Sequence, residues 1–261
     1  QGLGYCKKIG FRESIIALGY IQIDTISKIQ RSHHHVLWTR DSSYLPEDID
    51  HLLAVDRSVF EYWGHAMSYL PMNDYRFALP KMRNFKKPSS RWVQNHLDRS
   101  KGMLKAVLKR VSDEGPLSTS DFESRKRKSD GWWDWKPAKF ALEYLFWCGE
   151  LMISKRVGFR KYYDLTERVL PETVSQKMPS RTELGLFLVK KALSALGIAT
   201  EKEIGSFLQT SATRDAELQI ADSTLIRKSI RDLEKVSELR SVRIESLDNS
   251  TYYILERSSR E

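Results

Sequence analysis

Gln22 and Asp24 put an amide and a carboxylate two residues apart. In the segment Gly19-Tyr20-Ile21-Gln22-Ile23-Asp24-Thr25, an extended backbone sends Tyr20, Gln22 and Asp24 to one face. Ile21 and Ile23 go to the other face. Two residues along a strand span about 7 Å, so the two polar groups can share one water. A carboxylate can deprotonate or orient that water, or stabilise a cation developing on a sugar. The same alternation also describes an ordinary amphipathic edge strand, and the residues alone leave both readings open.

His33, His34 and His35 invite a metal reading. On a helix, consecutive residues point about 100° apart, so three in a row do not converge on one ion. No HExxH partner or cysteine is in reach, so the expectation is no metal and no cofactor. Cys6 and Cys148 form no CxxC pair and suggest neither a disulfide framework nor zinc. A reducing cytoplasm fits that usage.

The 261 residues carry 43 Lys and Arg against 34 Asp and Glu, a net charge of +9. The excess is concentrated. From Lys81 to Arg110 the basic residues are Lys81, Arg83, Lys86, Lys87, Arg91, Arg99, Lys101, Lys105, Lys109 and Arg110, with Asp98 the only acid. A phosphate backbone is what such a window would meet, and a solvated helix face is the plainer alternative. With 41% hydrophobic and 30% charged residues the chain lies far from the composition of disorder. No apolar run approaches the length of a membrane span, and no secretory signal is visible.

The elements that must position these residues include a repeat. Gly115-Pro116-Leu117-Ser118-Thr119-Ser120-Asp121-Phe122-Glu123 and Gly197-Ile198-Ala199-Thr200-Glu201-Lys202-Glu203-Ile204 are each a turn followed by a helix start. Ser120 with Glu123, and Thr200 with Glu203, have capping-box spacing. Amphipathic stretches precede the turns at Met103–Val111 and Leu184–Leu196. Further helices follow at Ala138–Trp147 and Leu225–Val236. Paired strands come after each: Leu151–Val157 with Tyr162–Leu165 through Gly158, and Leu239–Ile244 with Thr251–Leu255 through Asp248-Asn249. Helix, turn, helix, helix and hairpin make a winged helix, and two of them about 80 residues apart reinforce each other.

The N-terminal third is less regular. It suggests a helix through Ile15–Leu18, a strand at Tyr20–Thr25, helices at Ser27–Thr39 and Leu45–Ala54, and an aromatic-rich stretch at Val59–Leu70. Pro46 suits a first helical turn. Ser129–Trp135 and Gln209–Asp222 read as loops, and Pro171–Ser180 as a linker. The expected fold is α+β, mostly helical, in three tandem winged-helix units: 1–95 with the catalytic strand, 96–172 and 173–261.

Four ordered motifs carry a family resemblance. They are Gln22-Ile23-Asp24 with Arg31–Arg40; Phe60-Glu61-Tyr62-Trp63-Gly64-His65 through Pro71; Trp132-Trp133-Asp134-Trp135; and Cys148-Gly149-Glu150-Leu151. Together they resemble the AlkZ-like winged-helix DNA glycosylases of bacteria, and within them the YcaQ-type branch, which carries Gln-x-Asp where the other carries Gln-x-Gln. The resemblance implies cleavage of the N-glycosidic bond of N7-alkylated purines and unhooking of DNA interstrand crosslinks. It implies that Asp24 activates water and Gln22 positions it. An N7-alkylated guanine is already cationic and leaves without a general acid, so one carboxylate and one water suffice. No lysine stands out as a nucleophile, so the expected enzyme is monofunctional. A crosslinked base favours an open cleft over a deep pocket.

The resemblance also places His33 and His34 along a DNA cleft, with Arg31 and Arg40 on phosphates. It carries over Trp63 and His65 near the site, where core packing is the alternative. Lys86, Lys87 and Arg91 are further candidates for the DNA backbone. Trp132, Trp133 and Trp135 suit either base stacking or packing of a loop under a helix. Arg125-Lys126-Arg127-Lys128 suits either phosphate or solvent. Family members continue into a C-terminal β-rich domain, which this sequence is expected to lack; it reads as a fragment or a shortened version. The wing at Asp248-Asn249-Ser250 is a candidate for engaging the duplex. The partner expected is double-stranded DNA, alkylated or crosslinked, met by a cytoplasmic monomer with no membrane contact. A winged-helix transcription regulator without catalysis, or a nucleoid-type binder, explains the charge and the wings but not the Gln-x-Asp strand.

Overall fold

A computed structural model describes residues 9–122, 135–208, 216–245 and 250–256. Glu123, the Arg125–Lys128 run, Trp132, Trp133 and the Asp248-Asn249 turn lie outside the described residues. The fold is α+β and mostly helical, with small antiparallel sheets.

The first segment runs α1 (Phe11–Leu18), β1 (Ile21–Gln22), α2 (Ser32–Trp38), α3 (Pro46–Ala54), β2 (Val59–Trp63), β3 (Met67–Pro71), a 3-10 turn at Met72–Phe77 and α4 (Leu79–Lys86). Gly19 ends α1 with φ 79°, a conformation glycine adopts without strain, and turns the chain straight into β1. The sheet order is β1-β3-β2, with Ile21 opposite Tyr69 and Gln22 opposite Ser68.

Two expectations are corrected here. The strand does not reach Thr25: it ends at Gln22, and Ile23 adds one last hydrogen bond from its N–H to the Met67 carbonyl at 2.8 Å. The helix does not begin at Ser27 but at Ser32. The reason is local. The Asp24 carboxylate accepts the Ile26 N–H at 3.0 Å, a side-chain turn that competes with both ladder and helix.

The second segment runs α5 (Arg91–Glu114), a 3-10 turn at Thr119–Phe122, α6 (Trp135–Trp147), β4 (Leu151–Val157), β5 (Arg160–Leu165) and α7 (Thr166–Val169). The stretch Met103–Val111 is only the middle of a 24-residue helix. Among the described residues the turn is capped at Ser118: Asp121 accepts from the Ser118 N–H at 2.7 Å and the Ser118 hydroxyl at 2.8 Å.

The third segment runs α8 (Arg181–Leu196), β6 (Ile198–Thr200), α9 (Glu201–Ser206), a 3-10 turn at Ala216–Leu218, α10 (Ser223–Lys235), β7 (Leu239–Val242) and β8 (Tyr252–Leu255). The Thr200–Glu203 capping box forms, with N–H bonds of 2.8 and 3.3 Å in its two directions. Strand β6, which the sequence hides between turn and helix, completes the sheet β6-β8-β7.

One core cluster extends from Ile15 to Leu170 and so joins the first two segments, and a second runs from Leu184 to Leu239. The third segment docks on the first through specific contacts. Phe77 and Phe187 stack at 3.8 Å and 3°. Lys191 meets Asp74 at 2.6 Å, and Arg76 meets Glu183 at 3.0 Å.

Candidate active site

Asp24 sits in the turn that follows β1, and its neighbours hold its carboxylate in one orientation. Oδ1 accepts the Ile26 N–H at 3.0 Å, and Oδ2 accepts the Ser32 hydroxyl at 2.8 Å. These two bonds, the backbone one first, keep the carboxyl below its ordinary range and therefore ionised at neutral pH. The Asp24 N–H donates to His33 Nδ1 at 3.2 Å. His33 is buried, and burial, then His34 and Arg31, push its pKa down to about 4.

Gln22, Ser32, His33 and Arg40 line one cleft of about 440 Å³. Its other wall is Leu196 at the end of α8 and Phe207 just beyond α9, with Tyr20 set edge-on to Phe207 at 5.3 Å. The cleft therefore lies between the first and third segments. The described residues lining it include no acid: Asp24 is not among them, but it is bonded to two that are, Ser32 and His33. Arg40 Nη1 bonds the Val36 carbonyl at 2.7 Å.

The hairpin of the second segment backs this site. Phe159, in the β4–β5 turn, is sandwiched by two guanidiniums: Arg31 at 4.0 Å and Arg156 at 4.4 Å from its centroid. Arg156 in turn grips Glu61 of β2 with two bonds of 2.5 and 2.8 Å. A bulge at Ser154, where Ile153 faces Tyr163 but Lys155 faces Tyr162, turns Arg156 onto the inner face.

The other candidates lie apart from the cleft's lining. Trp63 is half-buried and borders a small cavity of about 30 Å³ with Lys81. Exposed His65 reaches the Ser206 carbonyl at 3.3 Å, so the tip of the β2–β3 hairpin touches the end of α9. Lys81 is not on the surface as its charged window suggests. It is 3% exposed, burial brings its pKa down to about 7, and its amine bonds the carbonyls of Trp63 at 2.7 Å and Leu208 at 2.9 Å, with Gly64 at 3.4 Å. Lys86 and Lys87 border a separate groove with Arg83, Asn84, Ser89 and Glu217, and Lys86 pairs with Glu150 at 2.6 Å. Exposed Arg91 opens α5. His34 Nδ1 bonds Tyr44 Oη at 2.8 Å, so neighbouring His33 and His34 serve different partners.

Sequence reasoning missed Ser32, Phe207 and Phe159. Each acts through contacts that no spacing rule encodes; the nearest pairing, Ser32 with Asp24, is eight residues apart across a turn.

Against known proteins, a family model described as DNA glycosylase AlkZ-like matches residues 15–261. Among solved structures, the chain is similar to Streptomyces sahachiroi DNA glycosylase AlkZ, with a TM-score of 0.68 at 17% identity over 100% of this chain and 68% of that one. At that identity the second likeness speaks for the fold.

Proposed function

Because this chain belongs to the AlkZ-like DNA glycosylase family, we propose that it releases N7-alkylated purines from duplex DNA and unhooks interstrand crosslinks, with Asp24 and Gln22 as its catalytic pair. The family makes the chain a DNA glycosylase and makes DNA its partner. The observation that supports the finer reading is the Asp24 carboxylate, fixed and ionised by Ile26 and by Ser32, which lines the same cleft as Gln22.

In this mechanism the bond from C1′ to N9 breaks and its electron pair passes to the purine, cancelling the positive charge that N7-alkylation put there. The base leaves neutral, so no acid is needed. Water adds its oxygen to C1′ and gives its proton to Asp24. The carboxylate also faces the sugar cation as it develops, which is the larger part of its effect given its low basicity. Gln22 both accepts from and donates to that water. An open cleft suits a base still tied to both strands. Arg31 and Arg40 take phosphates beside it, and Lys86, Lys87 and Arg91 take the backbone further along. Three winged-helix units, 1–95, 96–172 and 173–261, supply the surface, and one copy of the chain acts alone.

The test is base release from a duplex carrying N7-methylguanine and from a nitrogen-mustard crosslinked duplex, with wild type and Asp24→Asn. The expected result is abasic sites from wild type and a rate lower by about 10²–10⁴ for the variant, with DNA binding kept. Equal rates for the two proteins would remove Asp24 from the mechanism. Release of neither base would remove the substrate class.

A further inference from the structure

One polar group faces this cleft with no assigned task. We propose that His33 recognises the departing base, its Nε2–H donating a hydrogen bond to an acceptor atom of the purine. The proposal rests on the reading of the cleft as the place where the base leaves.

The geometry fixes which edge of the ring does this. Nδ1 accepts the Asp24 N–H, so the ring proton belongs on Nε2. Nε2 bonds to no described residue and is not among the sealed polar atoms that lack a partner. His33 is 3% exposed and yet lines the cleft beside Gln22, so the open sliver of the ring is its donor edge. The ring cannot swing away. It lies against His34 at 4.2 Å and Tyr69 at 6.0 Å between centroids.

The chemistry suits a cationic leaving group. An imidazolium here would repel an N7-alkylated purine. Burial is the main obstacle to protonation of His33, and His34, Arg31 and Arg156 oppose it further, so the ring stays neutral and still donates. As the C1′–N9 bond breaks, its electron pair spreads onto the ring acceptors of the purine. A donor already aimed at one of them binds more strongly in the transition state than in the ground state, and that difference accelerates release. The same ring orients the Asp24 backbone, so nucleophile side and leaving-group side are tied through one imidazole.

Two substitutions separate this role from packing. His33→Asn keeps an acceptor where Nδ1 stood and loses the Nε2–H. His33→Gln returns an N–H near the Nε2 position. Both are assayed as the full chain on N7-methylguanine duplex, alongside wild type and Asp24→Asn, with thermal unfolding followed in parallel. We expect His33→Asn to lower kcat about tenfold, the scale of one hydrogen bond, with KM little changed and the melt preserved. His33→Gln should recover most of kcat. Asn as fast as wild type, or Gln no better than Asn in a folded protein, overturns the donor role while leaving Asp24 in place. A wild type that releases no base overturns the cleft reading and this role together. Binding gives a further check. With ring-labelled histidine, free 7-methylguanine at saturation should shift the wild-type Nε2–H resonance that His33→Asn removes, and an unmoved signal counts against the proposal.

Discussion

Glu61 and Arg156 form a two-bond ion pair with side chains 0% and 3% exposed, joining strand β2 of the first segment to β4 of the second. The pair sits beneath Phe159 and so beneath Arg31. It ties the hairpin that carries Phe159 to the first segment, outside the residues that line the cleft.

Removing one member should be costly. Arg156→Met leaves the Glu61 carboxylate buried without its partner, a loss on the order of 3–5 kcal/mol in urea unfolding. Replacing both by apolar residues of similar volume should recover much of it. A single variant as stable as wild type would mean that water reaches the pair.

The rate should be insensitive to mild acid. In the proposed mechanism Asp24 works as a carboxylate, and the Ile26 N–H and Ser32 hydroxyl hold its pKa below the ordinary 3.8. Base release, corrected for spontaneous depurination, should therefore stay level as pH falls from 7 to about 5 and decline only near or below about 4. His33, with its pKa near 4, takes up its proton in the same range, so Ser32→Ala, which removes one donor to Asp24, should raise only the Asp24 part of that limb. A wild-type midpoint above pH 5 would point to another ionising group.

Arg31 should read charge and not sequence. Its guanidinium stacks on Phe159 and bonds to no described side chain. Arg31→Gln is expected to weaken binding to any duplex and to reduce the slope of log K against log salt by about 1. Phe159→Ala should act in the same direction more weakly, because it frees the guanidinium to wander. An unchanged salt slope would take Arg31 off the phosphates.

Lys81 should behave as a strut. Its amine satisfies carbonyls in the β2–β3 hairpin and at Leu208, so Lys81→Met strands buried acceptors in two segments. The expected cost is about 1–3 kcal/mol, with looser docking of the third segment seen as faster hydrogen exchange around Phe187. No change in either would place the docking energy elsewhere, such as the Phe77–Phe187 stack.

The sequence carried the regular parts of this fold well. Helices α6, α8 and α10 and the Thr200–Glu203 cap follow from apolar spacing and capping residues, which are local signals. The failures are places where a side chain outbids the backbone pattern. The Asp24 turn cuts both the strand and the following helix, and period alone cannot show that. The bulge at Ser154 is equally hidden: unbroken alternation over Leu151–Val157 would put Arg156 on the face opposite Ile153. Of the candidate site, Gln22, His33 and Arg40 do share a cleft. Lys86 and Lys87 do not join it, and Lys81 shows why a basic window is a poor guide: charge counts in sequence say nothing of burial.

The cleft has its floor near residue 20 and one wall near residue 200. During synthesis the first core, from Ile15 to Leu170, can close before α8 and α9 leave the ribosome. Asp24 then stands in a folded protein that has no cleft. The cleft is thus assembled from two stretches far apart in the chain and cannot exist until α8 and α9 dock on the first core.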